Sequence, residues 1–160
     1  MSPEALTAQL HRTIPLTAAM ATEVRSFDGR RLEISAPLAA NHNLHGTAFG
    51  GSLATLGILG GWSLVASALD AIGVRARIVV QHSECEFREP VSSDFSAVSE
   101  LPEAEWPRFV ATLRRHRRAR IAIDTTLVAE HRAMASHRGR FAAFLEADSE
   151  PTPDPRAPLP

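Results

Sequence analysis

Between Glu33 and Asp70 the chain carries no Asp, Glu, Lys or Arg. So long an uncharged run has three physical outlets: a membrane span, a helix buried in a folded core, or the wall of a ligand site. About 20 apolar residues suffice to cross a bilayer, so length alone admits the first. Composition argues against it. Six glycines (Gly46, Gly50, Gly51, Gly57, Gly60 and Gly61) dilute the hydropathy together with Ser and Thr, and no Arg cluster closely flanks either end. A helix that is apolar all round also occurs wrapped inside a soluble fold. Ala54, Gly57, Gly61 and Ala68 recur at helical spacing, and side chains this small let another element approach closely.

The rest of the composition fits that second outlet. A chain of 160 residues is one ordinary domain, and 44% hydrophobic residues can fill its core. The formal net charge of −1 argues against a dedicated nucleic-acid binder and gives no pull toward a membrane surface. All 17 basic residues are Arg, which we read as genome composition. The single Cys85 excludes an internal disulfide and fits a reducing, cytoplasmic setting. The opening "MSPEALTAQLHRTIPL" has no apolar core of signal-peptide length.

Periodicity then divides the chain. Residues 4–20 predict one amphipathic helix with Leu6, Leu10, Ile14 and Met20 inward. Strands over 22–27 and 31–37 flank the turn pair Asp28-Gly29. A loop over 39–48 leads into a helix over 49–71, stopped near Gly73. "RARIVVQHSECEFREPV" reads as a long strand ended by Pro90, with Val79, Gln81, Ser83, Cys85 and Phe87 on one side and His82, Glu84, Glu86 and Arg88 on the other. A strand over 94–101, a short helix over 103–115 and two strands over 118–129 and 133–145, turning near Glu130–Arg132, complete the order. Residues 147–160 are Pro-rich and acidic, the composition of a disordered tail. One long apolar helix among runs of strands predicts an α+β fold, the helix wrapped by a curved antiparallel sheet.

At "NLHGTAFGGSLATL" the sequence resembles the hotdog thioesterases, and most of all the thioesterase domain at the C-terminus of YiiD-type proteins. Asn43, Gly46-Thr47, Phe49-Gly50-Gly51-Ser52-Leu53 and Gly60-Gly61-Trp62 carry the likeness, and "IVVQHSECEFREPV" resembles that family's long strand. It covers about residues 20–145, which divides the chain into an N-terminal helix (1–20), a hotdog domain (21–146) and the tail. The resemblance implies a thioester ligand carried on coenzyme A or acyl carrier protein. Coenzyme A is then part of the substrate, and no separate cofactor is needed. It also implies a homodimer, or a dimer of dimers, joined sheet edge to sheet edge.

Hydrolysis of a thioester needs a polarised carbonyl and an activated water. Backbone N–H groups at a helix N-terminus can hold the developing oxyanion, and Gly50 and Gly51 occupy that position. They also suit a tight loop-to-helix turn. Many hotdog thioesterases open this helix with His-Gly-Gly and place a carboxylate two turns later as base or nucleophile. Phe49 stands where that His would be, Ile58 where the acid would be, and no acid precedes Asp70 in the helix. The remaining polar candidates are Asn43, which matches the family's Asn before the glycines but suits a self-bonded loop equally, and His45, whose ring titrates near neutrality. Thr47, Ser52 and Ser83 are the others. Asn43, His45, Gly51 and Ser83 are the catalytic candidates; Thr47, Phe49, Gly50 and Ser52 line the substrate.

Cys85 reads as core, since nothing marks it as activated. His42 and His45 alone do not make a metal site. The basic run "RRHRRAR" offers Arg117 and Arg118 as phosphate ligands or as a solvated face. A non-catalytic acyl-thioester binder and a hotdog dehydratase or hydratase are the competing functions.

Overall fold

The computed structural model describes residues 2–146; the tail at 147–160 lies outside the described residues. The chain opens with helices α1 (Pro3–Thr13) and α2 (Pro15–Ala19), then strands β1 (Glu23–Phe27) and β2 (Arg31–Ala36). A short 3₁₀ turn, Leu38–Ala40, precedes the central helix α3 (Gly50–Ala71). Strands β3 (Ala76–Phe87) and β4 (Phe95–Glu100), helix α4 (Glu105–His116) and strands β5 (Arg118–Ala129) and β6 (Arg132–Leu145) follow.

The single helix expected over 4–20 is two helices. Pro15 lacks an amide hydrogen and drives the residue before it out of the helical region, so Ile14 sits at φ −129° and the axis breaks there. The first hairpin follows its turn residues: Asp28 Oδ1 accepts the amides of Arg30 and Arg31, and Gly29 takes φ +93°. The second hairpin has no such signal, yet Glu130 and His131 both adopt positive φ, as a two-residue turn between twisted strands requires.

All strands pair antiparallel in one six-stranded sheet of order β1-β2-β4-β5-β6-β3, leaving β1 and β3 as its edges. The sheet wraps α3, which packs against β2, β3, β4, β5 and β6. Leu56, Leu64, Val65 and Leu69 of the helix are fully enclosed. The most apolar 18-residue window of α3 is 61% buried in the fold, which identifies it as a core helix despite a length and composition that would cross a bilayer. Its glycines are contact points. A Cβ on Gly61 would lie 2.8 Å from the Phe141 ring, one on Gly60 2.8 Å from Ser99 Oγ, and one on Gly57 2.6 Å from His137 Cγ. The sheet can close on the helix at these three places only because no side chain intervenes.

Strict alternation along β3 holds for only half the strand. Register shifts between Val80 and His82, so Gln81 is an extra, bulged residue. Val80 pairs with the inward Phe141, while Ser83, Cys85 and Phe87 pair with the inward Gly139, His137 and Ala135. The helix-facing set is therefore Ile78, Val80, Ser83, Cys85 and Phe87. Val79 and Gln81, expected on that side, lie on the other, where Gln81 Oε1 accepts Arg120 Nε at 2.7 Å. As an unpaired edge, β3 is exposed along most of its length.

Candidate active site

The loop before α3 is built by its own amides and amide side chains. Asn41, buried, donates through Nδ2 to the carbonyls of Met20 and Pro37 and accepts the Phe49 amide on its carbonyl. Asn43 Oδ1 accepts the amides of His45 (2.8 Å) and Thr47 (3.2 Å), and its Nδ2 donates to Thr47 Oγ1 at 3.0 Å. Asn43 and Thr47 are thus joined in one small network that shapes the turn through Gly46, at φ +77°. The His45 side chain is exposed and makes no hydrogen bond among the described residues.

That loop delivers Phe49 as the residue capping α3, with no side-chain cap. The carbonyl of Phe49 accepts the amides of Ser52 and Leu53. The amides of Gly50 and Gly51 meet no protein acceptor among the described residues. Two free donors therefore stand at the positive end of a 22-residue helix. Their surroundings are apolar: a Cβ on Gly51 would run into the Phe49 ring, and one on Gly50 would lie 3.5 Å from Phe87 Cζ. Phe49 and Phe87 are both more than half exposed, so they form an open apolar lip around the two amides. Ser52, in the first turn, is half-buried.

Two turns further along the same helix face stands a polar pair that the sequence reading half missed. Ser83 Oγ lies 2.9 Å from His137 Nε2. Ser83, on the edge strand, is exposed, whereas His137 is 2% exposed and its Nδ1 has no partner. His137 belongs to a buried polar row across the inner face of the sheet: Ser99 pairs with Thr125, Thr125 with His137, and His137 with Cys85. Ser99 Oγ and Thr125 Oγ1 satisfy one another at 2.7 Å. Burial pushes the His137 imidazole below the ordinary histidine range, with the Asp124 carboxylate pulling the other way. Burial also pushes the Cys85 thiol up, which keeps it protonated and a poor nucleophile. The signal that could have found His137 is its alternation on β6 with Ala135, Gly139 and Phe141.

Ile58 is half-buried and packs against the core, so no carboxylate faces this region from the helix. Arg117 and Arg118 lie elsewhere. Arg117 ends α4 in the left-handed region and donates to the Leu145 carbonyl, and Arg118 pairs with Phe144. His137 and Phe144 are separated by roughly 20 Å of strand, so both arginines sit at the far end of the sheet from Gly50. No group of three or more His, Cys, Asp or Glu placed to hold a metal exists among the described residues.

A curved antiparallel sheet closed around one long helix is the hotdog fold. The chain belongs to the family described as "Putative thioesterase (yiiD_Cterm)", whose model matches residues 3–145. Among solved structures it is similar to a "putative thioesterase" from Shewanella oneidensis, with 29% identity, 89% of this chain and 96% of that one covered, and a TM-score of 0.81. A "Probable Thioesterase" from Pseudomonas aeruginosa shares the fold at 18% identity, covering 91% and 97% of the two chains with a TM-score of 0.80. So does a thioesterase from Haemophilus influenzae, at 13% identity, 91% and 92% coverage and a TM-score of 0.71.

Proposed function

We propose that this protein hydrolyses acyl thioesters, carried on coenzyme A or on acyl carrier protein, in the cytoplasm. The observation that carries the reading is the pair of unpartnered amides of Gly50 and Gly51, set between Phe49 and Phe87 in a chain of a thioesterase family. The thioester carbonyl accepts from these amides, and as water adds to its carbon the oxyanion takes up the same two hydrogen bonds. Donors fixed before the reaction stabilise charge that appears only in the transition state, which raises the rate rather than merely the affinity. The apolar lip receives the acyl portion. The tetrahedral intermediate collapses by breaking the carbon–sulfur bond, releasing acid and thiol.

The site works in a homodimer joined through the free edge of β3, where backbone groups and Phe87 await a partner. Phosphates of coenzyme A reach Arg117 and Arg118 only if the assembly brings that end of one chain to the helix start of another. Replacing both by Gln then raises KM for acyl-CoA and not for a thioester lacking the nucleotide.

The test is free-thiol release from short, medium, long and aromatic acyl-CoAs by the purified protein. Turnover of one class supports the reading. The absence of an acid in α3 before Asp70, with Ile58 where one is expected, favours a second reading, a non-catalytic acyl-thioester binder. That reading predicts thermal stabilisation by acyl-CoA with no thiol released.

A further inference from the structure

We infer that Ser83 and His137 form the proton relay that activates water in this site, a role that rests on the hydrolase reading above. Three observations meet there. The first is access: in the single chain Ser83 is exposed on the β3 edge, where the homodimer proposed above would bring a second copy, and His137 is enclosed, so of the two only the hydroxyl can touch a substrate water, and the imidazole acts through it.

The second is room made for an imidazole. A Cβ at Gly57 would lie 2.6 Å from His137 Cγ and 2.7 Å from its Cβ, and one at Gly139 would meet the Phe141 ring first, at 2.6 Å, and the imidazole Cε1 at 3.1 Å. Two elements, α3 and β6, each hold a glycine against this side chain. His137 nevertheless leaves Nδ1 unpartnered. A buried nitrogen without a partner destabilises the fold, and an apolar side chain in that space would avoid the penalty. A histidine held there against its own burial points to use.

The third is reach. Gly50 meets Phe87 and Gly57 meets His137, so one face of α3 runs alongside Phe87, Cys85 and Ser83. Gly51 and Gly57 are roughly 9 Å apart along the axis. An amide-to-carbonyl hydrogen bond of about 2.9 Å, a carbonyl bond of about 1.2 Å, an attacking water about 3 Å from the carbon and a further hydrogen bond of about 2.8 Å span that length.

The step balances without a further reactant. Water oxygen bonds to the carbonyl carbon. Its proton passes to Ser83 Oγ as the serine proton passes to His137 Nε2. When the carbon–sulfur bond breaks, the proton returns through Ser83 to the leaving thiolate, giving acid and thiol. On the inner face the one titratable group beside His137 is Cys85; the charged neighbours Glu84, Asp124, Arg138 and Arg140 lie on the outer face of the sheet, from which Asp124 acts through its charge, and α3 presents no titratable group before Asp70.

Steady-state kinetics of Ser83→Ala, His137→Gln, the double variant and Ser83→Thr, on whichever acyl-CoA the wild type turns over, test the relay. Ser83→Ala and His137→Gln should each lower kcat about 10²-fold, the scale of a general base, with KM unchanged. The double variant should be no slower than the slower single one, because the two act as a unit. Ser83→Thr, which keeps the hydroxyl, should retain most of the rate. The acid limb of the wild-type kcat/KM profile should vanish in His137→Gln. Folded variants with wild-type kcat and an unchanged acid limb overturn the relay and leave the hydrolase reading standing, as does an acyl group trapped on Ser83. A wild type that binds acyl-CoAs but releases no thiol from any of them overturns both.

Discussion

The missing side chain of Gly57 is the space in which His137 stands: a Cβ there would fall within 2.7 Å of both the Cβ and the Cγ of the imidazole. Alanine at this position brings two opposed effects. Helix propensity favours it by about 1 kcal/mol. Overpacking against the rigid root of a buried ring disfavours it by about 1–3 kcal/mol. Packing wins, and Gly57→Ala should lower Tm by about 3–6 °C in a calorimetric scan. A Tm at or above the wild-type value would show that His137 moves aside freely.

Gly51→Ala separates site from fold. The added methyl meets the outer atoms of the Phe49 ring, an exposed side chain free to turn. Stability should hold or rise slightly with the helix propensity, while thioester turnover falls by about 10²-fold, the scale of an ångström's misplacement at a reacting centre. Equal losses of Tm and turnover would place Gly51 in the fold rather than in the site.

Asn43→Ala removes the acceptor of two loop amides and the donor to Thr47. The loop is open to water, so the loss should be modest, about 1 kcal/mol, but the entry to α3 loosens and turnover drops in a folded protein. Asn43→Asp keeps the acceptor and should recover the fold. Thermal scans beside kinetics decide the matter, and unchanged kinetics in folded Asn43→Ala would remove the residue from the mechanism.

Burial of His137 also ties stability to pH. Its folded value lies below the ordinary 6.5, so the unfolded chain binds the proton first as pH falls. Stability should therefore decline on going down through pH 6.5 and level off below the folded value, where both states are protonated. The denaturant midpoint of the wild type should fall relative to that of His137→Gln as pH drops from 7.5 to 5. Midpoints that stay parallel would mean that the imidazole titrates alike in both states.

The sequence made the helix legible and left the polar groups packed against it obscure. The run without charge, closed by Asp70, placed the core helix to within one residue, and Asp28-Gly29 placed the first hairpin. Gly57 and Gly61 declared a close approach by something. What approaches is another matter. Ser83 and His137 stand 54 positions apart and meet only through the pairing of β3 with β6, which no local pattern encodes. The bulge at Gln81 breaks the two-residue period midway along β3, so one parity carried through the strand misplaces Val79 and Gln81. Pro15 was a readable stop that an amphipathic pattern overrode.

The glycines beneath the buried polar row also constrain how such a chain can drift. Position 57 enlarges only at a cost in stability while 137 holds a histidine, and position 60 likewise while Ser99 faces it. Each pair behaves as one inherited character: relatives that place a side chain on the helix should also have altered the strand residue below it. Sequences that retain His137 should retain the hydroxyl at 83 and the glycine at 57 as a set, whatever becomes of the rest of the helix.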